Sequence, residues 1–172
     1  MTDLATRTIA RGLVFDPQDR LLLIAYEAVR DVDPARPGLR RFWFPPGGGL
    51  EPGETHEEAL KRELGEEIGV HDAALGPWVG RFEAPFRLFR KPRFSRERYY
   101  VVRLESRKID TSRLAETEDN PVLDVRWWAL SALEATTDVI EPPGLVALVK
   151  HLLAGDVPTA PVEILGGASS LP

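Results

Sequence analysis

The stretch from Thr55 to Gly69 carries the firmest folding instruction in the chain. Thr55 with Glu58 three residues later forms a capping box, Ala59, Leu60, Leu64 and Ile68 recur at helical spacing, and Gly69 is placed to end the run. The pattern predicts a helix over 55–68 with one apolar face to bury. Immediately before it, Phe42-Trp43-Phe44 reads as a short strand stopped by Pro45-Pro46. Gly47-Gly48-Gly49 then opens a loop to Glu54, in which backbone can turn or approach another group closely.

On either side of this centre the alternation favours strands. Thr8 to Phe15 and Leu21 to Tyr26 flank the turn Asp16-Pro17-Gln18-Asp19 and predict a hairpin. Residues 27–41, with Pro34, Pro37, Gly38 and charges of both signs, predict an exposed loop insertion of uncertain order. Trp78 to Glu83, Arg98 to Leu104 and Val122 to Leu130 predict further strands. Ser131 to Ala135 predicts a short helix, and Gly144 to Leu153 a helix with Leu145, Leu148, Val149 and Leu152 on one face. With 172 residues and no internal repeat, the expectation is a single α+β domain over residues 1–155, helices packed on a mixed sheet, followed by a partly disordered carboxy-terminal tail over 156–172.

Composition narrows the chemistry. With 22 basic against 27 acidic residues the net charge is −5, so bulk attraction to nucleic acid or anionic lipid is not the design, and any polyanion must be met locally. The absence of cysteine excludes disulfides, thiolate catalysis and Cys-based zinc or iron–sulfur sites. His56, His71 and His151 show no ligand spacing, so a metal would have to be held by carboxylates. The longest apolar run, Leu21 to Tyr26, is too short to span a bilayer, and Met1 to Arg11 has no apolar signal region, so a cytoplasmic protein without membrane contact is expected.

Carboxylates are what the helix supplies. Glu63 and Glu67 lie one turn apart and share a face, with Glu66 beside them. Like charges at these spacings destabilise a helix, and Glu67 sits near the C-terminal end, where the macrodipole also disfavours an anion. A solvated acidic face braced by Lys61 and Arg62 is one account. The other is a divalent cation, and oxygen-only ligation points to Mg²⁺, with Mn²⁺ as the alternative, rather than zinc or copper.

Gly48, five residues, Glu54, seven residues, then Arg62-Glu63-Leu64-x-Glu66-Glu67-x-Gly69-Val70 reproduces the defining positions of the Nudix box across residues 48–70. The chain resembles the Nudix hydrolases. That resemblance implies an α/β/α sandwich with a mixed sheet and a loop-helix-loop motif, and metal-dependent hydrolysis of a phosphoanhydride in a nucleoside diphosphate linked to another moiety. It implies metal binding by Glu63, Glu66 and Glu67, with a Gly48 backbone carbonyl able to join them, and a structural pairing of Arg62 with Glu54. It places the general base variably, within the box at Glu66 or Glu67, or on a later loop, where Glu116 and Glu118 are the candidates and an acidic surface loop is the alternative.

Between Arg81 and Arg98 lie seven basic and two acidic residues, interleaved with Phe82, Phe86, Phe89 and Phe94. Such an island could dock phosphates and stack a base, and Arg81 and Arg98, flanking predicted strands, are the substrate-binding candidates. A solvated basic loop is the competing account. Pro85, downstream of the box, tilts the resemblance toward ADP-ribose or another nucleoside diphosphate sugar. A nucleoside triphosphate, an RNA end, or a nucleotide-sensing regulator using residues 81–98 are the alternatives. Nucleic acid is disfavoured but open, and a homodimer is open because many members of that family dimerise.

Overall fold

The structure, a computed structural model, describes residues 3–166. Four helices and nine strands follow in the order β1 (Thr6–Phe15), β2 (Leu21–Glu27), β3 (Arg41–Phe44), β4 (Gly47–Gly49), α1 (His56–Ile68), β5 (Leu75–Phe86), β6 (Arg93–Arg103), α2 (Leu114–Thr117), β7 (Val122–Trp128), α3 (Leu130–Ala135), β8 (Val139–Ile140), α4 (Leu145–Leu153) and β9 (Val162–Glu163). The predicted helix and strands all appear, with β5 and β6 longer than the alternation indicated.

The sheet is mixed and forks. Strand β1 runs parallel to β6 from Thr6↔Phe94 to Phe15↔Arg103, and its other edge pairs antiparallel with β4, Ile9↔Gly49 to Arg11↔Gly47. Strand β2 has β3 on one edge and β7 on the other, and meets β1 only at Phe15↔Leu21. The predicted hairpin is therefore a corner rather than a ladder. Asp16 builds it, its side chain accepting from the backbone N–H groups of Gln18 and Arg20 at 2.9 Å each.

Strand alternation distributes the core between two faces. Ala10 and Val14 of β1, with Tyr100 and Val102 of β6, pack against Ala59, Leu60, Leu64 and Ile68 of α1. Leu13 and Phe15 point the other way, into a larger core with Phe42, Trp43, Phe44, Phe86, Leu133 of α3 and Leu145, Leu148, Val149 and Leu152 of α4. Helices thus cover both faces of a mixed sheet, an α+β arrangement of the expected kind. Among the described residues no helix is long and apolar enough to cross a membrane.

Two stretches are more structured than their composition suggests. In the 27–41 loop Ala28 and Val32 are buried, and their N–H groups donate to the carbonyls of Arg40 and Leu39 at 2.7 and 2.9 Å. Beyond α4 the chain returns to the sheet: Val162–Glu163 pairs with Gly80–Arg81 of β5, and Ile164 is buried. The expected tail therefore contributes an edge strand as far as the described residues extend; residues 167–172 lie outside them.

Candidate active site

The glycine run is where β1 and α1 are brought together. Gly47 has φ +137°, and a Cβ there would run into the carbonyl oxygen of Ala10 and lie 2.8 Å from Arg11 Cα, so only glycine lets β4 lie against β1. Its N–H donates to Glu67 Oε2 at 2.8 Å, tying the loop to the last turn of the helix. Gly48 comes so close to α1 that a Cβ would lie 2.5 Å from Glu63 Cδ.

Arg62 holds the other side of the loop. Its Nε and Nη2 donate to the two oxygens of Glu54 at 2.7 and 3.0 Å, Nη2 also to Gly49 O at 2.9 Å, and Nη1 to Glu63 Oε1 at 3.0 Å. The Arg62 hydrogen bonds, helped by the backbone link to Glu51, hold the Glu54 carboxyl down at about 2. The pairing of Arg62 with Glu54 expected from the sequence is thus a bidentate fork that fixes loop to helix.

The three box glutamates differ in depth. Glu67 is fully buried, the Glu63 side chain is 13% exposed and that of Glu66 35%. Glu67 Oε1 receives no hydrogen bond; what lies against Glu67 is Glu118, from the loop after α2, and burial first, then Glu118, pushes the Glu67 carboxyl well above its ordinary value. Burial also raises Glu63, against the pull of Arg62. As arranged, no group of three or more His, Asp or Glu among the described residues converges with metal-ligand geometry: Arg62 engages Glu63, lies 3.5 Å from Glu66, and the Gly47 N–H occupies one oxygen of Glu67. The donor set nevertheless suits a hard divalent cation, because a buried carboxylate oxygen without a donor faces a second carboxylate, beside a loop that leaves no room for a side chain.

These groups border a cleft of about 280 Å³ whose lining brings Glu63, Glu118, Asp119 and Gly47–Gly49 together with Arg7, Arg11, Lys91 and Arg93, beside Ile9 and Phe89. Arg11 is only 4% exposed. Although burial opposes its charge, Glu97 holds it protonated, above the ordinary value. Arg93 is pushed down to about 10 by burial and stays cationic at neutral pH.

Strand alternation separates the basic island. Lys91 and Arg93 reach the cleft, whereas Arg81 and Arg98, opposite each other across β5 and β6, line a different cavity with Arg96, on the face that carries α1. Arg98 stacks on Trp78 at 4.0 Å and Arg81 pairs with Glu163 at 3.1 Å. Glu116 is exposed on α2 and does not line the cleft, whereas Glu118 does. Sequence reasoning gave Arg7 and Arg11 no role in the site, and within the basic island it chose Arg81 and Arg98 ahead of Arg93. A signal was present: Arg7, Arg11, Leu13 and Phe15 occupy the same alternate positions of β1, which puts two arginines on the face of a buried run.

A family model of the NUDIX domain matches residues 5–149. The nucleoside triphosphatase NudI of Enterobacter sp. (strain 638) is 33% identical over 113 residues, covering 64% of this chain and 77% of that protein. An RNA pyrophosphohydrolase of Erwinia tasmaniensis is 35% identical over 104 residues, 52% of this chain and 58% of that one. Among solved structures, the MutT protein of Methanosarcina mazei Go1 shares the fold with a TM-score of 0.62 at 16% identity, over 91% of this chain and 99% of that one. A bifunctional NMN adenylyltransferase/ADP ribose pyrophosphatase of Francisella tularensis matches with a TM-score of 0.60 at 21% identity, over 89% of this chain and 42% of that one.

Proposed function

This chain belongs to the Nudix family of hydrolases acting on pyrophosphate bonds, and from that premise we propose that it cleaves the phosphoanhydride of a nucleoside diphosphate linked to a further group, in the cleft bordered by Glu63 and Glu118. The observation that carries the reading is a single cleft of about 280 Å³ in which carboxylates from α1 and the loop before β7 share the lining with four cations. The family depends on divalent metal. Glu63, Glu66 and Glu67, with the backbone carbonyl of Gly48, would hold Mg²⁺ or Mn²⁺, which when bound neutralises phosphate charge and acidifies water.

The remaining work falls to the chain's own side chains. Arg62 keeps Glu63 and the Gly49 carbonyl in register through hydrogen bonds to both. Arg7, Arg11, Lys91 and Arg93 bind and orient the phosphates, so that the attacking water and the leaving oxygen lie in line. Glu118, half-buried against Glu67 at the edge of the cleft, accepts the water proton at a carboxylate oxygen. Glu116 takes no part, being exposed on α2.

The further group is a sugar, as in ADP-ribose, or a phosphate, as in a nucleoside triphosphate. Supporting the phosphate are the number of cations in the cleft and the resemblance to a nucleoside triphosphatase. The test is a panel of nucleoside diphosphate sugars, dinucleoside polyphosphates, triphosphates and triphosphate-ended RNA, incubated with Mg²⁺ or with chelator, with products identified by mass. Metal-dependent cleavage abolished by Glu67→Gln is expected. Cleavage that survives chelation or that substitution would refute the assignment of the carboxylates.

A further inference from the structure

The part of the basic island that does not reach the cleft is gathered at a second cavity. It measures about 250 Å³ and lies on the α1 face, bordered by residues of β1, β5 and β6 and by His56, the first residue of the helix. Strand register sets Arg98 opposite Arg81 and Arg96 opposite Glu83, with Thr8 of β1 on the other side of Arg96. Three guanidinium groups therefore crowd neighbouring positions on one face, where like charges opposite each other cost stability. Arg81 is offset by Glu163 at 3.1 Å. Among the described residues neither Arg96 nor Arg98 forms an ion pair, even with Glu83, and the Glu97 carboxylate is engaged by Arg11 and Tyr99. Setting Glu83 against one of the two leaves a positive charge without a partner.

The surroundings of that charge are ordered. Trp78 donates from Nε1 to Gly80 O at 2.8 Å, which fixes the indole, and the Arg98 guanidinium lies 4.0 Å over its ring. Tyr100, beside Arg98, donates its hydroxyl to Glu57 Oε1 at 3.2 Å, and neither Tyr100 nor Glu57 lines the cavity. Burial first, then Arg98, holds the His56 imidazole below its ordinary value, so at neutral pH it adds a polar group and no charge. The Thr8 hydroxyl is exposed and makes no hydrogen bond among the described residues. Guanidinium, hydroxyl and imidazole groups from three elements suit a tetrahedral oxyanion. The volume falls below the ~300–1,000 Å³ of ordinary ligand pockets, which suits a small one.

We propose that this cavity is a second, non-catalytic site that binds a small phosphate anion through Arg96 and Arg98, with Thr8 and His56 completing its contacts. The site is separate from the cleft and does not depend on the hydrolase reading.

The full chain is titrated with inorganic phosphate, at constant ionic strength and with chelator, while the Trp78 indole N–H and the His56 ring are followed by NMR. Wild type, Arg96→Met, Arg96→Lys and Arg93→Met are compared. In the wild type both signals should shift together and saturate at millimolar phosphate, and the His56 titration should move up by about half a pH unit, because an anion beside it favours the imidazolium. Arg96→Met should weaken this binding at least about fivefold and Arg96→Lys should recover part of it, while kcat/KM on the preferred substrate stays within about twofold of wild type in both. Arg93→Met, which alters the cleft, should leave both signals responding as in the wild type. An Arg96→Met protein that responds like wild type overturns the site. A response lost in Arg93→Met and kept in Arg96→Met places the phosphate in the cleft and overturns it as well, and a shift that never saturates marks an adventitious ion only. A fall in kcat/KM matching the loss of phosphate affinity in Arg96→Met overturns the separation from catalysis. An Arg96-dependent response in a protein that cleaves no member of the substrate panel would leave this site standing and remove the hydrolase reading.

Discussion

Replacing Gly48 by alanine separates the function of the glycine loop from its contribution to the fold. The new Cβ would lie 2.5 Å from Glu63 Cδ, and an ordinary contact begins near 3.4 Å, so the carboxyl group must retreat by about 1 Å. The atoms in the way are the far end of a side chain that is 13% exposed and can swing toward solvent. Folding should therefore lose little, on the order of 1 kcal/mol, or about 2–4 °C in a domain of this size. A hard-metal ligand tolerates only about 0.2 Å of displacement, and a misplacement of about 1 Å at a reacting centre costs roughly a hundredfold. Gly48→Ala should thus fold and melt nearly as the wild type while its kcat/KM falls by about two orders of magnitude. Gly47→Ala is the contrast: φ is +137° and the obstructing atoms are the backbone of Ala10 and Arg11, so strand β4 must move away from β1. Its cost should be ~3 kcal/mol or more, visible as a melting temperature lower by about 6–12 °C. Thermal melts alongside initial rates with saturating Mg²⁺ decide the matter. A Gly48→Ala protein with wild-type turnover would show that Glu63 need not sit where it does, and equal melting losses in the two variants would show that the distinction between side-chain and backbone obstruction is wrong.

Three further substitutions probe the surroundings. Glu67→Gln should lower kcat by about a hundredfold or more without lowering the melting temperature, since the amide oxygen can still accept from the Gly47 N–H and a buried charge is removed; a destabilised protein would mean that the carboxylate is structural. Arg62→Ala should lower both activity and melting temperature, and the melting gap should depend on pH in a defined sense. Because Arg62 holds Glu54 down at about 2 against the usual 4.5, the gap should be full above about pH 4.5 and close as pH falls toward 2; a gap that widens on acidification would refute the pairing as its origin. Asn120→Ala should melt lower by about 4–16 °C, reflecting ~2–4 kcal/mol, because the side chain accepts from Arg90 N at 2.8 Å and donates to the carbonyls of Glu27 and Leu88 at 2.8 and 3.3 Å. Amide hydrogen exchange should accelerate across residues 88–92, the turn that presents Phe89 and Lys91 to the cleft, and unchanged exchange there would place the loss elsewhere.

What the sequence made legible was local. The capping box, the apolar stripe and the glycine after Ile68 are all set by residues within four positions of each other, and helix α1 begins and ends where they require. The grouping of Glu63 and Glu67 followed from the same period, whereas the Glu54 partner of Arg62 came only with the resemblance to the Nudix box. The corner between β1 and β2 was not legible in this way, because hairpin and corner share the turn at Asp16 and differ only in what flanks β2, namely strands fourteen or more and over ninety residues further on. The edge strand β9 was hidden for a similar reason. Two residues in a stretch rich in small and polar side chains give no periodicity, and it is Ile164 docking beside Gly80 that anchors them.

The cations of the cleft show why a count of charges could not locate them. Residues 81–98 form one island in the sequence, but strand alternation divides it, sending Arg81 and Arg98 to the α1 face and Arg93 to the cleft, while the 87–92 turn carries Lys91 in beside it. Arg7 and Arg11 arrive from a strand some eighty residues earlier, in the parallel register that sets Arg7 opposite Ser95 and Arg11 opposite Tyr99. That register puts Arg11 within reach of Glu97, and a buried carboxylate is what allows an arginine to occupy a position that the alternation of β1 reserves for the core. A charged residue at a core-phased position of a strand therefore carries more information about a site than a run of charges in a loop, because burying it demands a partner and a reason. In this chain the partner is Glu97, and the reason proposed is the phosphate that the cleft is to bind.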